Sequence, residues 1–240
     1  MKIGIAQIQS KKGDVTHNIG HHLDYIKLAA DNEVDFIVFP ELSITGYEPT
    51  LAKQLATTIE DELFDPFQEL SEASKIAIGV GMPTHGTEGI HISMLLFQPK
   101  KQRLVYSKKI LHEDELPFFT SGFHQPSLSI KETEIALGIC YETLQRSHFV
   151  EAKANGAHIY VASVAKADHG ASKAYLHFPS IAKEFQTPIV MCNAVGICDD
   201  FVCNGQSAVW NSEGELLGQL DTQTEGMLIY DTEAQTVQRF

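Results

Sequence analysis

Hydrophobic and polar positions along the chain change period repeatedly. Ile3 to Ile8 form a short apolar run of strand character. Asp14 then opens a helical pattern in which Ile19, Leu23, Ile26 and Ala30 recur at spacings of four, three and four, placing one apolar stripe against a sheet. A second apolar run, Phe36 to Phe39, ends at Pro40, so the chain begins β-α-β. Asp65 before Pro66 signals another helix, with Phe67, Leu70 and Ala73 or Ser74 on one side, and Ile76 to Val80 follow as a strand.

Ile92 to Phe97 and Leu104 to Tyr106 flank a polar turn around Pro99 and Lys100 and predict a hairpin. The alternation then resumes with strand Ile135 to Ile139, a helix from about Glu142 to Asn155, strand His158 to Val161, helix Ala171 to Phe185 and strand Ile189 to Cys192. Gln206 to Trp210 and Glu215 to Leu220, around Asn-Ser-Glu-Gly, predict a closing hairpin. No linker, low-complexity stretch or repeat divides these segments. The expectation is a mixed α/β fold with sheet faces partly covered by helices.

Composition narrows the picture. A chain of 240 residues is within reach of one α/β unit, and residues 1–240 are read as one domain. Apolar residues make up 43% and charged residues 20%, enough to bury a sizeable core. The net charge of -13 repels phosphate backbones and anionic lipid, which argues against nucleic acid and membrane surfaces as partners. The opening MKIGIAQIQS turns polar too soon for a signal peptide or spanning helix, so a cytoplasmic location is expected. Cys140, Cys192, Cys198 and Cys203 are too sparse for a disulfide framework and are read as reduced thiols.

Three segments put reactive side chains where a strand run gives way to a loop, the usual place for ligand contacts in α/β sheets. In FPELSITGY, residues 39–47, Glu41 leaves the strand just after Pro40. In YSKKILHEDELPFFTSG, residues 106–122, alternation turns Lys108 and Lys109 to opposite sides, so that one can point inward. In IALGICYETL, residues 135–144, Cys140 ends a strand before a helical pattern, and a helix N-terminus would lower the thiol pKa.

Together these motifs resemble those of the nitrilase superfamily of carbon-nitrogen hydrolases, and the resemblance runs from Lys2 to about Tyr230. FPELSITGY resembles the family's glutamate motif; Tyr106, Lys108 and Leu111 fit its lysine motif; GICYE resembles its cysteine motif. Glu115, ahead of Phe118, Phe119 and Gly122, stands where the family carries a second glutamate. Weaker matches are Ala154 to Ala157, Ile181 to Glu184, Asn193 to Gly196 and Gly205 to Ser207. Two features depart from the commonest pattern: Arg146 follows the cysteine motif only after Thr143, Leu144 and Gln145, and Ile110 replaces the usual histidine after the lysine.

The resemblance implies a four-layer α-β-β-α sandwich assembled as a homodimer or larger homo-oligomer. It also implies a catalytic Glu41, Lys108 and Cys140, with no cofactor and no metal. Cys140 would attack a small amide-like substrate to form a thioester, Glu41 would move the proton, and Lys108 with the backbone N–H of Tyr141 would hold the oxyanion. Glu115 would orient Lys108 or bind the leaving amine. Amidase-like hydrolysis of linear amides is the leading expectation; an N-carbamoyl hydrolase, a nitrilase and a catalytically silent binding protein are the alternatives.

Other chemistries have less behind them. His17 and His21 stand at helical i, i+4 spacing suited to a divalent ion, but no HExxH motif accompanies them, and Cys192, Cys198 and Cys203 lack zinc-site spacing. Gly79-Val-Gly81 lacks the later glycine and helix of a dinucleotide fingerprint.

Overall fold

The computed structural model describes residues 1–123 and 126–240. The strands are β1 (Lys2–Gln7), β2 (Phe36–Val38), β3 (Ala77–His85), β4 (Ile90–Phe97), β5 (Leu104–Ser107), β6 (Leu128–Ile130), β7 (Thr133–Ile139), β8 (Ile159–Val164), β9 (Ile189–Asn193), β10 (Val195–Cys198), β11 (Phe201–Asn204), β12 (Ala208–Trp210), β13 (Leu216–Gln219), β14 (Gly226–Asp231) and β15 (Thr236–Arg239). The helices are α1 (Val15–Asp31), α2 (Ala52–Leu55), α3 (Asp65–Ser74), α4 (Arg146–Ala154) and α5 (Asp168–Phe185).

Seven strands form one sheet in the order β15-β14-β1-β2-β3-β4-β5, six form another in the order β13-β12-β9-β8-β7-β6, and β10 pairs with β11 in a separate ribbon. Strict alternation sorts side chains between two faces of each sheet. Ile3, Ile5, Phe36 and Val38 meet Ile135, Leu137, Ile159, Val161 and Val190 in a core between the sheets. Ile37, Phe39, Ile78 and Val80 face outward to Ile26 and Ala29 of α1 and Phe67 of α3. On the other side Tyr160, Ala162, Ile189 and Met191 face Phe149 of α4 and Ala174 and Phe178 of α5. The layers are α-β-β-α, as the resemblance implied.

Individual boundaries shift. The helix expected from about Glu142 to Asn155 is two pieces, a 3-10 helix over Cys140–Leu144 and α4, separated at Gln145, whose backbone is extended. The apolar stripe of α1 falls on Asn18, His22, Ile26 and Ala29, with Ile19 and Leu23 at its margin and Ala30 outside it. Buried Asn18 and His22 hide this face from a hydrophobic count: Asn18 donates to the carbonyls of Lys11 and Ile44, and His22 bonds the Ser43 hydroxyl. The C-terminal segment contributes β14 beside β1, with Lys2 opposite Asp231, a pairing the linear pattern did not predict.

The sheets are tied together at one end of the strands. Ser163, near the end of β8, donates to the carbonyl of Phe39, just past β2, at 2.8 Å. Cys192 of β9 donates to the carbonyls of Ala6 and Val38 at 3.2 and 3.4 Å. Loops leaving β2, β7 and β8 therefore converge.

Candidate active site

Glu41, Lys108, Glu115 and Cys140 meet at this end, reached from three loops, with Lys108 and Glu115 on the same one after β5. Glu41 follows Pro40 on a tight excursion held against β3: the N–H of Phe39 donates to Gly79 O, that of Ile44 to Gly81 O, and Gly81 N–H to the Ser43 hydroxyl. A Cβ at Gly81 would lie 2.3 Å from the backbone nitrogen of Leu42, so only glycine lets the loop lie this close. Gly79-Val-Gly81 thus seats the glutamate loop.

Lys108 follows β5, and alternation sends its side chain inward while Lys109 reaches Glu151 at the surface. The N–H of Gly122 closes the lysine loop onto Lys108 O. Lys108 Nζ donates to Glu41 Oε1 at 2.8 Å and to Glu115 Oε1 at 2.5 Å, and all three side chains are buried. Tyr47 donates its hydroxyl to Glu115 Oε1 at 3.1 Å, and the N–H of His112 donates to Oε2. Glu41 Oε2 has no hydrogen-bond partner among the described residues.

Cys140 has a positive φ of 47°, as does Leu42 beside Glu41 at 52°. Such backbone strain in non-glycine residues gathers at functional sites. Its carbonyl accepts from the Thr143 hydroxyl at 2.6 Å and from Lys166 Nζ at 3.3 Å, and its sulfur stands 3.7 Å from the same ammonium. The first N–H groups of the 3-10 turn, Tyr141 among them, precede the point at which internal bonds begin.

Charge and burial set the proton positions. Burial pushes Glu41 up to about 7 against the pull of Lys108, with the charge of Glu115 adding to the rise. Burial also opposes the charge on Lys108, but Glu41, Cys140 and Glu115 outweigh it and the ammonium is held more firmly than usual. The Cys140 thiol is raised to about 11, first by burial and then by Glu41, against Lys166 and Lys108. This corrects the expectation of a lowered thiol pKa. The helical turn is only five residues long, and burial beside a carboxylate outweighs any dipole.

Two residues that sequence reasoning passed over complete the arrangement. Glu142 is buried and accepts from Tyr106 OH, from the N–H groups of Lys109 and Ile110, and from that of Ile139, binding the lysine loop to the cysteine loop. It stands inside GICYE and was legible there only as part of the motif. Lys166 gave no signal, since one lysine after an apolar strand is commonplace. All four cysteines are free; Cys203 Sγ lies 2.6 Å from Cys198 Sγ across the β10–β11 ribbon. His17 stacks on His21, which bonds Glu225.

The site opens on a cleft of about 310 Å³ whose walls include Tyr47, Glu115, Cys140, Lys166, Lys173 and Phe201. Depressions of about 330 and 560 Å³ elsewhere contain no cysteine. A thiol beside a carboxylate and an ammonium thus lines a small cleft within an α-β-β-α sandwich.

The family follows from comparison. The Carbon-nitrogen hydrolase model matches residues 2–240, and the chain belongs to that family. It is similar to the NitN amidase from Nesterenkonia sp. AN1, at 25% identity and a TM-score of 0.87 over 96% of this chain and 92% of the other. A glutamate-to-glutamine mutant of that amidase, with acrylamide added at its active-site cysteine, superposes with a TM-score of 0.88 at 25% identity over 98% of this chain and 94% of that one. The glutamine-dependent NAD(+) synthetase of Synechocystis sp. is 24% identical over 257 residues, 95% of this chain and 46% of that protein. The protein N-terminal amidase of Schizosaccharomyces pombe is 29% identical over 135 residues, 51% of this chain and 47% of that protein. The chain thus spans about half the length of the curated relatives it matches. Among the described residues, no helix is long and apolar enough to cross a membrane.

Proposed function

We propose that the protein hydrolyses the carbon-nitrogen bond of a small linear amide through a thioester on Cys140. The observation that carries this reading is the buried contact of Lys108 with Glu41 and Glu115 beside the Cys140 thiol. Burial raises both the Cys140 thiol and Glu41, so the resting sulfur keeps its proton. That calls for general-base catalysis concerted with attack rather than a standing thiolate.

Cys140 attacks the carbonyl carbon as Glu41 takes the thiol proton. The oxyanion is held by Lys108 Nζ and the N–H of Tyr141. Glu41 then returns the proton to the departing amine, the C–N bond breaks, and the thioester forms. Water enters, Glu41 accepts its proton, and the carboxylic acid leaves as the thiol is restored. Glu115, bonded to Lys108, Tyr47 and the His112 N–H, keeps the ammonium in place.

Residues 1–240 are read as one catalytic unit. The homodimer reading draws support from exposed Leu176, Ile197 and Val202, and a gel-filtration mass equal to the monomer would end it. The cytoplasmic reading draws on cysteines too sparse for a disulfide framework.

The test is intact-protein mass spectrometry of wild type and Cys140→Ala with a mixed panel of small amides, glutamine, carbamoyl amino acids and nitriles. An acyl adduct or carboxylic acid product confined to wild type, from amides, is the expected result. Turnover of only carbamoyl compounds or nitriles would replace the amide assignment, and turnover by Cys140→Ala would remove the nucleophile.

A further inference from the structure

Among the described residues the buried lysines are Lys108 and Lys166, and the mechanism above uses only the first. Lys166, 5% exposed, leaves β8 one residue after Ala165 and just before α5. Its backbone is fixed on both sides: its N–H donates to Asn193 Oδ1 at 2.8 Å, and its carbonyl accepts from Asn193 Nδ2 and from the Asn204 N–H. The ammonium reaches the Cys140 carbonyl at 3.3 Å and the sulfur at 3.7 Å. No carboxylate among the described residues comes within ion-pair distance of it. The nearby acids are engaged elsewhere: Glu41 and Glu115 by Lys108, Asp114 by His112, Asp168 by Asn204.

Burying an ammonium without a carboxylate is costly unless something else supplies the counter-charge. In the resting site the acidic neighbour is the thiol. Burial keeps that thiol protonated, so before and after acylation Lys166 faces the reacting group with only a backbone carbonyl as oxygen partner. The same cleft wall continues along the first turns of α5 with His169 and Lys173, so its basic groups cluster on one side although the chain carries a net charge of -13. Glu41 serves the leaving nitrogen, whereas Lys166 lies against the cysteine to which the acyl part becomes bonded.

We propose that Lys166 anchors a carboxylate on the acyl part of the substrate, so that the substrate class is a short monoamide of a dicarboxylic acid. His169 and Lys173 extend the anchor toward the cleft mouth. A cleft of about 310 Å³ suits an acyl chain of a few carbons. This inference rests on the amidase reading and specifies its substrate.

The experiment compares succinamate with butyramide, matched in length and differing in the carboxylate. Wild type should favour succinamate in kcat/KM by about 10- to 150-fold, the range of a hydrogen bond to a charged group. Lys166→Gln should bring that ratio to near one, chiefly through KM for succinamate. Calorimetry with succinate and butyrate on wild type and Lys166→Gln reads the anchor without turnover, and the wild-type preference for succinate holds independently of how the variant folds. Equal use of both amides by wild type, or a ratio retained in Lys166→Gln, overturns the proposal. Lys166-dependent succinate binding without hydrolysis of either amide would keep the anchor and remove the amidase reading. Butyramide turnover without Lys166-dependent succinate binding would do the reverse.

Discussion

Glu142 Oε2 accepts the N–H of Lys109 at 2.7 Å, so the residue next to Lys108 is fastened to the residue two places beyond Cys140. The same carboxylate takes the Tyr106 hydroxyl at 2.5 Å and the Ile139 N–H at 2.7 Å. One buried side chain therefore sets the distance between lysine and cysteine. Glu142→Ala strands these donors inside the protein, and an unsatisfied buried donor costs roughly 1–3 kcal/mol. We expect a loss of about 3–5 kcal/mol in urea unfolding, with activity falling further than unfolding explains. A variant with wild-type stability would show that water replaces the carboxylate.

Replacing Glu41, the base of the proposed mechanism, separates chemistry from binding. Glu41→Gln should lower the rate of acylation by about 10²–10⁴ while the cleft still binds substrate. The rate of wild type should rise as pH passes about 7, because Glu41 must be ionised to accept the thiol proton. A single-turnover pH profile flat from pH 5.5 to 8.5 would remove Glu41 from that role.

The same group makes a stability prediction. A carboxyl whose folded pKa is raised from 4.5 to about 7 binds its proton more tightly in the native state. Its contribution is present below pH 4.5 and is lost as pH rises from there to about 7. Relative to wild type, Glu41→Gln should therefore gain stability between pH 5 and pH 8, by about 2–3 kcal/mol. Denaturant midpoints at the two pH values read this directly, and a constant difference between the proteins would contradict it.

Lys108→Met leaves Glu41 and Glu115 buried together without their cation. Breaking a buried pair from one side costs about 3–5 kcal/mol, offset in part as the carboxyls take up protons. Turnover should fall by about 10²–10³ through loss of one oxyanion donor. If kcat changes less than tenfold in folded protein, the oxyanion is held elsewhere.

Gly81→Ala tests the seat of the glutamate loop. The added carbon would meet the Leu42 nitrogen at 2.3 Å and the Pro40 carbonyl at 2.5 Å, so the loop carrying Glu41 must move. Thermal unfolding should drop by several degrees and activity by at least tenfold, for a cost of about 1–3 kcal/mol of overpacking. Unchanged activity would mean that the loop tolerates displacement.

The sequence by itself determined the periodic elements and the family resemblance. Strands such as Phe36 to Phe39 and Ile135 to Ile139 were legible because alternating faces require apolar residues on both sides of a covered strand. Glu41, Lys108 and Cys140 were legible as motifs, and Lys108 could be told from Lys109 by alternation. Tertiary structure alone decided three things. It set the thiol pKa, because burial and the charge of Glu41 depend on which loops converge. It placed β14 beside β1, a pairing between chain ends that no local period encodes. It also turned Lys166, an ordinary lysine in the linear chain, into a buried ammonium against Cys140, since burial is a property of what packs around a side chain and not of its neighbours in sequence.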